Sequence, residues 1–199
     1  MRIATAEYTD VSALTTALGG AHVVISTVTV VAIDAQVHIA QAAKAAGAQV
    51  FIPSEFGGPT EHLNDKQLGL KSALHAKLRE VGPPLLLVYT GAFSDSLWIE
   101  CVCCPLSLFF CFCFCADWRS GEHHSYVNLN VKGGKVAVGG NGDSPISFTT
   151  RPDAARFLAY VLVHAPKARL QNQTLRLEGD RAVCTSLLDL FFCCCCAYQ

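Results

Sequence analysis

Charge is scarce in this sequence: Asp, Glu, Lys and Arg make up 16% of the 199 residues and nearly cancel, leaving a formal net charge of -1. Such a chain has no basic field to gather phosphate backbones and no acidic tail to solvate a partner, which argues against nucleic acid as a primary ligand. The stretch Met1 to Gly20 lacks a basic start followed by an apolar run. Neither a secretory signal nor a start-proximal membrane span is therefore expected, and the expected compartment is the cytoplasm. A spread-out disulfide framework is lacking too. Ten of the eleven cysteines sit in two clumps, Cys101 to Cys115 and Cys193 to Cys196, a local sequence bias and not a set of bridges. Cys111, Cys113 and Cys115 with His123 and His124 place soft ligands near one another. Cys-x-Cys is not the knuckle spacing of structural zinc, however, and adjacent histidines point their rings apart, so no metal is expected. The apolar run at 101–116 has roughly 16 residues and an internal proline, short of the about 20 that span a bilayer.

What is present is an alternation of short apolar runs with helical ones, from Met1 to about Phe93, the pattern of βα units feeding a parallel sheet. The length allows one sizeable core and is short for two. Arg2 to Ala6 is a candidate strand. Asp10 is placed to cap a helix over Val11 to Leu18 that Gly19 and Gly20 end. Ala21 to Thr27 reads as a buried strand, since Val23, Val24 and Ile25 are consecutive and β-branched. Ala32 to Ala46 carries Ile33, Val37, Ala40 and Ala43 at helical spacing, with Gly47 standing where a left-handed C-terminal residue is wanted. Gln49 to Ile52 is the next strand, followed by a Gly- and Pro-rich loop from Pro53 to Asn64. Asn64 or Asp65 caps a helix whose inward stripe is Leu70, Leu74, Leu78 and Val81, and Leu85 to Tyr89 is the strand after it. Gly139-Gly140-Asn141-Gly142, between two strand-like runs, reads as a hairpin turn.

Right-handed crossovers between parallel strands bring all strand C-termini to one edge of the sheet, where open α/β sheets bind ligands. Here the strands end in Ser26-Thr27, in Pro53-Ser54-Glu55 and in Tyr89-Thr90-Gly91. Strand ends are polar in any buried sheet, because each strand must surface somewhere, so this pattern alone marks a candidate edge and no chemistry.

The run Glu7-Tyr8-Thr9-Asp10, the segment Ala-His-Val-Val-Ile-Ser-Thr-Val at 21–28 and Phe-Ile-Pro-Ser-Glu-Phe-Gly at 51–57 resemble, in order and spacing, the NmrA-like and isoflavone-reductase-like proteins. Pro-Ser-Glu-Phe-Gly is the most specific part. Lys71, then Gly82-Pro83-Pro84 and Val88-Tyr89-Thr90-Gly91-Ala92-Phe93, is similar to the family's lysine helix and the strand beyond it. Gly134 to Val138, Ile146 to Thr149, Asp153 to Phe157 and Leu175 to Asp180 match later stretches.

The resemblance implies an α/β Rossmann-like parallel sheet that binds NADP or NAD, with a smaller substrate-facing part. It also implies NAD(P)H-dependent reduction of a small aromatic or carbonyl-bearing substrate; the alternative is a non-catalytic regulator that senses the dinucleotide. Lys71 is the implied catalytic residue, a proton donor whose pKa partial burial lowers; a border lysine with its ammonium in water is the commoner use of the type. Ser54 and Glu55, with Pro53 and Phe56 in the same motif, are implied to face ribose hydroxyls, and Ser26 and Thr27 the adenosine half or the nicotinamide. Glu7 takes the place of an acidic residue near the adenine, and Tyr89, Thr90, Gly91 and Phe93 line the nicotinamide end. Turn formation and core packing explain the same residue types without a ligand.

The sequence departs from the family pattern in three places. It contains no Gly-x-x-Gly-x-x-Gly turn, the unit whose backbone amides meet the pyrophosphate at a helix N-terminus. The expectation is an incomplete sheet whose first βα unit is missing, and little or no dinucleotide binding by this chain. Residues 99–120 and 183–199, rich in Cys and Phe, have no family counterpart. They divide the chain into a partial dinucleotide-binding domain at 1–98, an aberrant insertion, a continuation at 121–182 and an aberrant tail.

Overall fold

The structure, a computed structural model, describes residues 3–63, 68–95, 127–130, 135–138 and 143–183. The chain divides into two compact units, Met1–Tyr89 with Arg156–Leu177, and Thr90–Ala155 with Glu178–Gln199.

In the first unit, strands β1 (Val23–Ile25) and β2 (Val50–Ile52) pair in parallel, with Val24 opposite Phe51. A single parallel bridge between Phe51 and Leu85, with the Phe51 N–H donating to the Pro84 carbonyl at 3.0 Å, links β2 to β3 (Leu86–Tyr89). Strand β8 (Gln173–Arg176) then pairs in parallel with β3. The expected parallel order of the strands near 21–27, 49–52 and 85–90 is the order found.

Alternation along these strands sorts side chains onto two faces. Val24, Phe51, Leu85, Leu87 and Tyr89 pack with Leu14 of α1 (Val11–Ala17), Ile39, Ala40 and Ala43 of α2 (Ala35–Ala45), and Leu74 and Leu78 of α3 (Leu68–Val81). Val50, Ile52, Leu86 and Val88 pack on the other side with Leu158, from the Arg156–His164 part of α4 (Arg151–His164), and with Leu170. Both faces are covered, which is why β2 and β3 read as continuous apolar runs.

Helix ends follow local chemistry. The Asp10 carboxylate accepts from the Ala13 N–H at 2.9 Å and caps α1, and past the end of α2 Gly47 takes φ +83°, a left-handed value that costs glycine nothing. The expected cap of α3 at residues 64–65 lies outside the described residues. Two expectations need correction. Ile3 to Ala6 forms no strand: no neighbour among the described residues pairs with it, and Ile3 is 82% exposed. Leu70 is 53% exposed, because the buried face of α3 runs through Leu74, His75 and Leu78 and leaves Leu70 at its rim.

In the second unit, β7 (Pro145–Thr149) pairs in parallel with β4 (Ala92–Phe93) and antiparallel with β9 (Asp180–Val183). β5 (Val127–Asn130) and β6 (Lys135–Val138) form an antiparallel pair. Among the described residues, the strands flanking residues 139–142 pair with other partners and not with each other; residues 139–142 themselves, where a hairpin turn is expected, like the expected insertion at 99–120 and the tail from 184, lie outside the described residues.

The α2–α3 contact is close because a glycine stands at it. A Cβ on Gly82 would lie 2.9 Å from both the Ala40 Cβ and the Leu78 carbonyl oxygen, closer than real contacts allow. Gly82→Ala is expected to cost about 1–3 kcal/mol in urea unfolding through overpacking; an unchanged midpoint would show that the helices move apart freely.

Candidate functional site

The three central strands of the first unit end at one edge, and each hands over to a polar residue there. After β1, the Ser26 N–H donates to the Ile52 carbonyl at 2.9 Å and extends the ladder by one rung. The Ser26 side chain is 3% exposed, and its Oγ is the one buried side-chain polar atom among the described residues without a hydrogen-bond partner. Thr27, next in the chain, is exposed. After β2, buried Pro53 begins a turn in which the Glu55 N–H donates to the Pro53 carbonyl at 2.8 Å. Ser54 ties the turn to its neighbours: its N–H donates to the buried Gln36 Oε1 and its Oγ to the Val28 carbonyl, both at 2.7 Å. Phe56 adopts φ +32°, unusual for a residue with a Cβ, and its N–H donates to the Val88 carbonyl of β3 at 3.0 Å.

Glu55 points its carboxylate into the protein and is 5% exposed. His75 Nε2 lies 2.8 Å from its Oε1, and Thr60 donates to its Oε2 at 2.8 Å. A carboxylate only accepts, so the ring hydrogen sits on Nε2 and the single Thr60 hydroxyl hydrogen is committed to Glu55. The Tyr89 hydroxyl, 3.3 Å from Thr60 Oγ1, is then the donor in that contact. Lys71, one helical turn before His75, donates from Nζ to the backbone carbonyl of Glu55 at 2.9 Å. Two side chains of α3 therefore hold one residue, Lys71 by its carbonyl and His75 by its carboxylate.

These surroundings move two pKa values. Burial lowers that of Lys71, and the nearby Glu55 charge offsets part of the fall. Tyr89 is raised, first by burial and further by the fields of Glu55 and Glu61. Glu61 is fixed by β8, accepting from Thr174 at 3.0 Å and from Arg176 at 3.1 Å.

Of the residues singled out in the sequence, Ser26, Pro53, Ser54, Glu55, Phe56, Lys71 and Tyr89 gather at this edge of the first unit. Glu7 is exposed, and its carbonyl accepts the Asp10 N–H at the turn before α1. Thr90, Gly91 and Phe93 belong to the second unit. There Gly91 takes φ +68° with its Cα against the Ser147 carbonyl, an approach that a Cβ would block, and Phe93 lies under the Arg151 guanidinium, 5.3 Å from its ring centre. Sequence reasoning did not assign roles to His75, Thr60 and Gln36. For His75 and Gln36 the signal was a polar residue on an otherwise apolar helix face; Thr60, in a loop, carried none.

Residues 1–98 match the NmrA-like family model. Over that stretch the chain belongs to the NmrA-like family. No curated protein matches the sequence. Among solved structures, leucoanthocyanidin reductase of Vitis vinifera in complex with NADPH is similar with a TM-score of 0.61 at 16% identity, over 92% of this chain and 56% of that one. Triphenylmethane reductase of Citrobacter sp. with NADP(H) gives 0.60 at 14% identity, over 94% and 57%. The NADPH-dependent quinone oxidoreductase of Escherichia coli gives 0.59 at 22%, over 94% and 56%. At these identities the likeness shows the fold, and the chain spans little more than half the length of each. No helix among the described residues is long and apolar enough to cross a membrane.

The lowered Lys71 pKa sets the sign of a pH effect in this NmrA-like unit. The folded chain releases the Lys71 proton at a lower pH than the unfolded chain, whose lysine keeps the ordinary value of 10.5. Across the interval below 10.5 the unfolded state binds more protons, so stability rises with pH. Urea unfolding over an alkaline series should show wild type gaining on Lys71→Met as pH climbs through that interval; a constant difference would mean that Lys71 titrates like a solvated lysine.

Proposed function

We propose that this chain supplies the nicotinamide-side machinery of an NAD(P)H-dependent reductase acting on a small aromatic or carbonyl-bearing substrate. The observation that carries the reading is Lys71, a half-buried ammonium held at the C-terminal edge of a parallel sheet with its pKa lowered, as suits a lysine that gives up a proton. The fold neighbours described with NADPH or NADP(H) support the choice of cofactor class. Residues at the edge fit such a group. Ser26 offers a buried hydroxyl that no group among the described residues satisfies, which a ribose hydroxyl or phosphate oxygen would complete, and Thr27 beside it is exposed. Ser54 donates to Val28 yet keeps lone pairs to accept from a sugar hydroxyl. A bound reduced nicotinamide would supply the hydride. Lys71 would deliver the proton to the oxygen that gains charge, while the neighbouring apolar strands limit access of water.

The pyrophosphate has no glycine-rich turn to meet it within this sequence. Each charge-assisted hydrogen bond from such a turn is worth about 1.5–3 kcal/mol, so the chain alone is expected to hold the dinucleotide weakly. Titration of NADPH, followed by nicotinamide fluorescence, should show tight binding only when a strand and a Gly-x-x-Gly-x-x-Gly turn are joined ahead of Met1. In that extended protein, oxidation of NADPH with a panel of quinones and aromatic ketones is expected, and Lys71→Met should lower kcat about 100-fold or more while leaving NADPH affinity nearly unchanged. Tight binding without oxidation of NADPH by any substrate would favour the dinucleotide-sensing reading; absence of NADPH binding in both forms would overturn the proposal.

A further inference from the structure

Pro53-Ser54-Glu55-Phe56 folds into a turn that costs free energy to hold. The Glu55 N–H reaches back only two residues to the Pro53 carbonyl, and Phe56 sits at φ +32°, where a Cβ crowds the backbone. Such a turn persists only if its surroundings over-determine it. Two anchors are visible: the Phe56 N–H on the Val88 carbonyl, and the buried Glu55 carboxylate between His75 and Thr60. Within the same turn, the carbonyl of Glu55 is the oxygen that Lys71 Nζ binds. The place of the Lys71 ammonium is thus set by a carbonyl whose direction depends on where the Glu55 side chain is tied.

We propose that His75 is a positioning residue for Lys71, acting through Glu55: the His75–Glu55 contact locks the strained turn so that the Glu55 carbonyl aims the ammonium at the sheet edge. The inference rests on the reading of Lys71 as the proton donor for its functional meaning, but its geometric content stands without a cofactor. His75 is 4% exposed on α3 and its ring meets the Glu55 carboxylate, so it is placed to act through the carboxylate it holds. The groups facing Glu55 are Lys71 and His75 from α3, Thr60 from the loop, and Tyr89 from β3 through Thr60, with Glu61 acting on Tyr89 at longer range. Glu55 is the acceptor that Lys71, His75 and Thr60 share. His75→Leu would leave one carboxylate oxygen buried without a donor, and the turn would reorganise to find water.

The test is nuclear magnetic resonance of the 199-residue chain with 15N-labelled lysine, the Lys71 Nζ signal being assigned by its loss in Lys71→Arg. A hydrogen-bonded, ordered ammonium gives a slowly exchanging Nζ signal, whereas those of exposed Lys77 and Lys167 exchange fast and serve as references. Wild type should show the protected Lys71 signal. His75→Leu should lose it while the backbone amides of β1, β2 and β3 stay protected, and His75→Gln, whose side-chain amide can donate to Glu55, should restore it. Should His75→Leu fail to fold, His75→Asn, too short to reach the carboxylate, carries the same expectation. A protected Lys71 signal in the folded Leu or Asn variant, or its loss in the Gln variant as well, would overturn the proposal. In the extended protein, kcat should fall about 10- to 100-fold in His75→Leu with KM little changed, and recover in His75→Gln. Loss and rescue of the Nζ signal with no turnover in any form would leave the positioning role standing and remove the reductase reading.

Discussion

Phe51 is fully buried on one face of the sheet, and Val50 and Ile52 beside it are as deeply buried on the other. A parallel sheet covered on both faces excludes polar groups along its strands, since an unpaired polar group there costs about 2 kcal/mol or more. The constraint forces chemistry to the strand ends. Each central strand of the first unit stops at polar side chains: Ser26 after β1, Ser54 and Glu55 after β2, and the Tyr89 hydroxyl at the end of β3. Helix α3 can reach that edge only with its first turns, which is where Lys71 and His75 stand.

Within this edge the buried Glu55 carboxylate sets the geometry. A charged carboxylate taken from water without partners costs several kcal/mol, and breaking a buried pair by removing one member leaves that cost uncompensated. Two side-chain donors offset it, and in doing so they join the loop after β2 and helix α3 to one atom group. The left-handed Phe56 and the direction of the Glu55 carbonyl follow from that junction. Tyr89, buried and donating to Thr60, closes the chain of hydrogen bonds on the β3 side.

Much of this could be read from residues alone. The consecutive Val23-Val24-Ile25 gave a strand, Asp10 a helix cap and Gly47 a left-handed helix end, each through local chemistry that tertiary structure left intact; the strand is not buried throughout as expected, since only Val24 is covered and Ile25 is 44% exposed. The Lys71 environment also lay within reach, since a lysine bordering an apolar stripe is pulled toward partial burial. Ile3 to Ala6 failed because a strand needs a partner that composition does not reveal. Leu70 failed because α3 turns His75 inward: the buried carboxylate demands a donor, and satisfying it rotates the stripe away from the purely apolar solution. The same demand hides the site from sequence reasoning. Glu55 looks like a ligand-facing acid in its motif, yet both its carboxylate oxygens are engaged inside the protein, and the partners that engage them, Thr60 and His75, lie 5 and 20 residues away.

Native-state hydrogen exchange at the Phe56 amide is the most direct test of the claim that the Glu55 carboxylate holds this edge together. In Glu55→Met the side chain keeps its length and loses both hydrogen bonds. The Phe56 amide should then exchange at least about tenfold faster than in wild type, while the amides of Val24, Phe51 and Val88, inside the doubly covered sheet, keep their protection. Equal protection at Phe56 in the two proteins would show that the turn stands without Glu55 and would contradict the account.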